Sequence, residues 1–282
     1  MALKSYFHFL LIFLRGTLSA QTLVPTQLCV LPQIAHESSG VVCNNTSNVW
    51  THNDSGDIAR IFLTDQNAKD RGTFVIDGAN NRDWEDIAIA DFSDGTYIYM
   101  GDIGDNNANN LKSYIYRFKE PTLTNPQKGN YTIAGAEKIT YQYPDGPRDA
   151  ETLMIDPQTK DIYICSKRET KNRIYRLPYP QSTTSIITAE FIEEVNLTYA
   201  TGGEISPDGQ EILIRNYTSI FYWKRQTNES IADALKRAYR TLPYKVEPQG
   251  EAVCWAADAA GYYTTSESGN GVFPRLYYYS KK

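Results

Sequence analysis

An all-β fold, a five-bladed β-propeller whose last blade is closed by the N-terminal strand, is what this sequence predicts, and three observations predict it. A glutamate followed by a short strand recurs at Glu37, Glu85, Glu151, Glu204 and Glu251, a spacing of about fifty residues that suits one propeller blade per repeat. Behind each glutamate come further strand-like runs, three more in the first four repeats but only two in the last. The run Gln27-Leu28-Cys29-Val30-Leu31 belongs to no repeat and is free to supply the missing strand, which leaves only short sheet edges exposed. A six-bladed count is the alternative, since long loops could hide a blade.

Residues 1–20 carry Lys4, an apolar run from Tyr6 to Leu14 and a small-residue end at Thr17-Leu18-Ser19-Ala20. This pattern predicts a cleaved secretory signal, with a retained anchor as the alternative, and residues 21–282 as one propeller domain outside the cytosol, secreted or periplasmic. No other run is apolar enough to span a bilayer, so no membrane association is expected after signal removal. A net charge of −5 without basic clusters argues against nucleic acid as a partner. A monomer binding a small molecule or glycan is expected. Sequons at Asn44, Asn45, Asn53, Asn130, Asn196, Asn216 and Asn228 would matter in a glycosylating host.

The second repeat is the best formed. Trp84-Glu85-Asp86-Ile87-Ala88-Ile89 alternates as a strand with one buried face does; Asp91, Ser93, Asp94 and Gly95 make a turn; Tyr97 to Gly104, Tyr114 to Phe118 and Ile139 to Tyr143 follow as strands. Equivalent second strands read at Val49–His52, Ile162–Cys165, Ile212–Arg215 and Tyr262–Thr265. Third strands read at Arg60–Leu63, Arg173–Leu177, Ile220–Trp223 and Arg275–Tyr279. Fourth strands are expected at Thr73–Ile76, Phe191–Val195 and Tyr244–Val246. Pro121 to Ala136 reads as a long loop. Ser230 followed by Ile231, Ala234, Leu235, Ala238 and Tyr239 predicts a capped amphipathic helix on the outer rim, most simply a packing insertion.

The four cysteines lack metal-ligand spacing. Cys29 and Cys43 could pair in an oxidising compartment, although the repeats put them on different blades; Cys165 and Cys254 read as buried, unreactive thiols.

In a propeller the inner strands begin on the face where the second strands end. Glu37, Glu85, Glu151, Glu204 and Glu251 are therefore expected to converge on one mouth of the central channel as metal ligands. Crowded carboxylates raise one another's pKa unless a cation neutralises them. Calcium, with six to eight flexible oxygen ligands, suits such a ring. Magnesium wants a tighter octahedron, and three histidines make zinc a poor candidate. Around the ring the second-strand ends bring His52, Asn53 and Asp54, then Asp102, Asp105 and Asn106, then Lys167 and Arg168, then Arg215 and Asn216, then Ser266 and Glu267. The arc of Lys167, Arg168 and Arg215 suits a phosphate or carboxylate, unless it only pairs with the acids. His52 or Asp54 is the candidate general base. Catalytic roles are thus expected for His52, Asp54, Arg168 and Arg215 in a calcium-dependent hydrolase of phosphoesters or phosphoanhydrides. A non-catalytic carbohydrate- or peptide-binding propeller and a glycosidase with paired carboxylates are the alternatives.

Through Glu85 to Ile89, Ile98 to Gly104 and Trp50-Thr51-His52-Asn53-Asp54-Ser55-Gly56, the motifs of a likeness that extends over about a fifth of the chain, the sequence resembles the calcium-activated nucleotidases. These are secretory-pathway apyrases, five-bladed propellers with calcium in the tunnel that cleave nucleoside diphosphates. The resemblance implies that Glu85, Glu151 and Glu251 are calcium ligands and that Asp54 is an active-site residue. The chain is also similar to secreted bacterial propellers of unassigned function through Asp149-Ala150-Glu151, Gly203 to Gly209 and Gln249-Gly250-Glu251-Ala252.

Overall fold

The computed structural model describes residues 25–122, 128–269 and 271–281, so the expected signal segment lies outside the described residues. The chain opens with β1 (Gln27–Val30) and builds a first blade from β2 (Ser38–Cys43), β3 (Asn48–Asn53), β4 (Arg60–Asp65) and β5 (Asp70–Ile76). The second blade holds β6 (Trp84–Phe92), β7 (Gly95–Asp102) and β8 (Ser113–Lys119), and after β9 (Asn130–Ile133) it gains β10 (Glu137–Gln142). The third holds β11 (Ala150–Ile155), β12 (Ile162–Ser166) and β13 (Asn172–Leu177), and after β14 (Ile187–Thr188) it gains β15 (Glu190–Val195). The fourth holds β16 (Ala200–Ile205), β17 (Glu211–Asn216) and β18 (Ile220–Lys224), and after helix α1 (Ile231–Lys236) it gains β19 (Arg240–Leu242). The fifth holds β20 (Gly250–Trp255), β21 (Gly261–Ser266) and β22 (Arg275–Ser280), and β1 completes it through the antiparallel pairs Gln27↔Tyr278 to Val30↔Arg275.

Each inner strand packs against the inner strands of the blades beside it, and β20 packs against β2, so five sheets close into a ring. Inner strands β2, β11, β16 and β20 are buried at all six positions because a neighbouring blade covers each face. Five apolar clusters fill the five blade junctions, with Trp50 and Trp84 between the first two blades and Tyr222, Trp255 and Tyr279 between the last two. The core is thus a ring of wedges around a channel, and the channel is lined by whatever the inner strands start with.

Three expectations need correction. The fourth strand of the fourth blade is β19, not Tyr244–Val246, because α1 returns the chain early and Ile220 already pairs with Leu242. Val246 is left exposed, and the Tyr244 hydroxyl donates to the Tyr217 carbonyl at 2.7 Å. The segment read as a loop up to Ala136 contains β9, which adds in parallel to β5, and β14 adds likewise to β10; both cover sheet edges that would otherwise present unpaired amides. The helix is capped as expected, since the Ser230 hydroxyl accepts from the Asp233 amide, but it ends at Lys236, where Arg237 turns extended. Its Ile231, Ala234 and Leu235 are buried between the third and fourth blades, the packing role the pattern implied. All four cysteines are free, and Cys165 and Cys254 are fully buried.

Candidate metal centre at the channel mouth

A bulge near the start of every inner strand decides which residues reach the channel. The register against the second strand slips between Ser38 and Val41, Trp84 and Asp86, Ala150 and Thr152, Ala200 and Gly202, and Gly250 and Ala252. A bulge re-aims the extra side chain away from the sheet. The equivalent positions are therefore Ser39, Glu85, Glu151, Thr201 and Glu251, three glutamates and two hydroxyls. The hydroxyls tie neighbouring blades together: Ser39 Oγ donates to the Glu85 carbonyl at 2.9 Å and Thr201 Oγ1 to the Gly250 carbonyl at 3.1 Å.

Glu37 and Glu204, expected in the ring, lie elsewhere. Glu37 sits two residues ahead of its bulge position, its side chain 43% exposed and 3.6 Å from His36 Nε2. Glu204 lies three residues past Thr201, deeper inside, where its carboxylate accepts the Trp255 amide. Asp86 does similar work, accepting the amides of Ile87 and Leu153, both at 2.9 Å, and of Gly203 at 3.4 Å, so it joins three blades. Burial holds both carboxyls well above the usual carboxylate range.

Two residues before each bulge stand Glu37, Asp83, Asp149, Tyr199 and Gln249, and two of these complete acidic groups. Asp54, Asp83 and Glu85 each bring one oxygen within 4.8 Å of the others, and Glu85, Asp149 and Glu151 do the same, so the two groups share Glu85. Burial, followed by the charge of Glu151, pushes the Glu85 carboxyl well up; burial and then Glu151 do likewise to Glu251. Asp83 is raised to about 6 by burial and then by Asp54, and Glu267 to about 7 by burial and then by Asp54. Asp54 is raised mainly by burial.

Among the basic residues of the expected arc, Lys167 ion-pairs with Glu151 Oε1, with its side chain 7% exposed. Arg168, 45% exposed, holds Asp149 Oδ2 at 2.6 Å through Nε and Asn106 through Nη2. Arg215 is turned away from the mouth and has no accessible surface. Its guanidinium pairs with Glu247 at 3.2 Å, donates to the carbonyls of Ala252 at 2.7 Å and Thr265 at 3.2 Å, and lies 5.2 Å from the Tyr244 ring centre. Gly250 is required beside it, because a Cβ there would stand 1.9 Å from Nη2. Arg215 therefore braces the fourth blade against the fifth and offers no contact to a ligand.

His52 is likewise sealed in, fully buried against Trp84 with Nδ1 donating to the Asn53 carbonyl at 2.8 Å and Nε2 without a partner among the described residues. Burial lowers its pKa from 6.5 to about 4. Above the unfolded value of 6.5 the ring is neutral in both states and the fold is at full stability; as pH falls toward about 4, the unfolded chain takes a proton that the folded chain refuses. That difference amounts to about 3 kcal/mol in full. Urea unfolding at pH 7.5 and 4.5 should show this loss in the wild type and a smaller one in His52→Asn; equal losses in both would assign the acid sensitivity elsewhere.

Asp83, Asp149, Ser39 and Thr201 are the site residues the sequence reading passed over. The acid-x-Glu spacing of Asp83-Trp84-Glu85, repeated in Asp149-Ala150-Glu151, is the signal that could have found the first two.

No family model matches the sequence, and no curated protein matches it. Among solved structures, the hydrazine synthase of Kuenenia stuttgartiensis matches 86% of this chain at 15% identity and a TM-score of 0.43, and this chain spans 59% of that one. A chain of the nidogen/laminin complex matches 82% of this chain and 73% of its own length at 12% identity and a TM-score of 0.49. The sheet register itself makes the chain a five-bladed β-propeller, and its channel mouth carries two groups of acids that share buried Glu85.

Proposed function

We propose that the protein binds calcium at the mouth of its channel and that the occupied mouth binds and hydrolyses a phosphoryl-bearing small molecule. The observation that carries this reading is the pair of carboxylate groups, one fully buried and one partly buried, that share Glu85. Burial and mutual repulsion disfavour simultaneous charge on these acids unless a cation joins them. The available donors are all hard oxygens, from Glu85, Glu151, Glu251, Asp83, Asp149 and the Ser39 and Thr201 hydroxyls, a set that fits calcium and offers nothing to a soft metal. Bound there, calcium would polarise a phosphoryl oxygen. Arg168, exposed at the rim, would hold the anion, and Asp54 would take the proton of an attacking water, a role for which sealed His52 is unsuited. A mouth that binds without turnover is the second reading, favoured by the inward turn of Arg215, which leaves Arg168 as the exposed arginine of the expected arc.

Melting in calcium and in chelator tests the metal, and turnover of nucleotides, simple phosphoesters and aryl glycosides tests the chemistry. A hundredfold excess of calcium over Kd stabilises by about 2.7 kcal/mol. At about 2–4 °C per kcal/mol for a domain of this size, that is a rise of about 5–10 °C. Glu85→Gln should lose most of the rise while melting in chelator at or above the wild type, because an amide removes one crowded charge. Equal melting temperatures with and without calcium would overturn the metal. A calcium-stabilised protein that turns over no phosphorylated substrate leaves the binding-only reading.

A further inference from the structure

One ammonium reaches most of the acidic mouth, while Arg168 holds Asp149 and Arg82 is the cation near Asp83. Lys167 is the cation that offsets the raised carboxyls of Glu85, Glu151 and Glu251 in the ring and of Asp54 and Glu267 on its rim. It is bonded to Glu151 and packs 5.2 Å from the Tyr217 ring centre. Its backbone is fixed, the amide donating to the Asp149 carbonyl at 3.0 Å and the carbonyl accepting from Tyr199 at 2.9 Å. Only the four-carbon stem is left to move. An ammonium carries donors alone, so it cannot itself ligate a metal; it occupies Glu151 Oε1, and a divalent ion on the same carboxylate adds like-charge repulsion that favours its departure. Lysine suits a group that must leave, being compact, strongly hydrated and on a flexible stem, where arginine would be locked by its planar fork.

We infer that Lys167 is a tethered competitor for the metal, which calcium displaces from Glu151 toward solvent beside Arg168, so that the mouth becomes anion-binding only once the metal is in place. This rests on the calcium reading above. It makes the order of binding a property of one side chain: before calcium, Lys167 is consumed by Glu151; after calcium, two adjacent cations of the same strand end face the ligand. By linkage, an anion that uses the released ammonium must in turn tighten calcium.

Calorimetric titration of calcium alone into the full chain tests the competition. Lys167→Met frees Glu151 and should tighten calcium by about tenfold, whereas Lys167→Arg keeps the charge and should not. Release is read separately, by acylating the wild type with acetic anhydride and quantifying modified Lys167 by mass spectrometry, which should proceed several-fold faster in calcium. Melting of Lys167→Met in calcium shows whether that variant folds, and the labelling of the wild type needs no variant at all. Calcium binding to the wild type with equal or weaker affinity in Lys167→Met, or acylation of Lys167 that calcium slows or leaves unchanged, overturns the displacement while the metal reading stands. Absence of calcium binding in both proteins overturns the two together.

Discussion

Arg215→Ala is expected to cost about 3–5 kcal/mol of stability, the usual penalty for leaving one member of a buried ion pair without its partner. The substitution strands Glu247, which is fully buried with its other oxygen on Thr264, and it also removes a donor from the carbonyls of Ala252 and Thr265. At about 2–4 °C per kcal/mol the melting temperature should drop by about 6–20 °C. The same change at an anion-binding arginine would weaken ligand binding and leave melting alone, so thermal unfolding without ligand separates the two roles. Replacing both partners, as Arg215→Met with Glu247→Leu, should recover much of the loss, since a well-packed apolar pair avoids burying charge. An Arg215→Ala protein that melts with the wild type would mean the guanidinium is not the brace described here.

Deleting residues 21–32 should be as damaging, through a different route. It removes β1 and with it four register pairs to β22, and it takes away buried Leu31, which belongs to the cluster between the fifth and first blades. The strand left at the edge, Arg275–Ser280, carries buried Leu276, Tyr277 and Tyr279 and would present unpaired amides over its length. A flat apolar edge of that kind templates pairing with other chains. Light scattering should therefore show oligomers at concentrations where the full chain is monodisperse, together with a lower melting temperature. A monodisperse deletion variant as stable as the parent would remove β1 from the closure of the ring.

Fold and site were legible to different depths. Blade count and nearly all strands followed from alternation and turn residues, because a strand between two blades advertises itself by being apolar and a turn by being small and polar. The added strands β9 and β14 were not legible, since they are short pieces of connection that pair only because a sheet edge happens to be near. Glu85, Glu151 and Glu251 were read correctly as equivalent positions, while Glu37 and Glu204 were aligned with them by chemistry rather than by register. The true equivalents, Ser39 and Thr201, carry no charge to draw the eye.

By itself, then, the sequence determined the propeller, its closure by the N-terminal strand and the acidic character of one channel mouth, because these depend on local patterns repeated along the chain. Tertiary structure alone decided which side chains face the channel. A slip of one residue sends a strand's side chains to the other face, and a bulge makes one such slip in every inner strand. The same geometry separates Arg215, drawn inward onto Glu247 and two carbonyls, from Arg168, left at the rim on Asp149. Both arginines end on a buried carboxylate; they differ because Glu247 and two carbonyls enclose Arg215 completely, whereas the pairing with Asp149 leaves the Arg168 side chain 45% exposed.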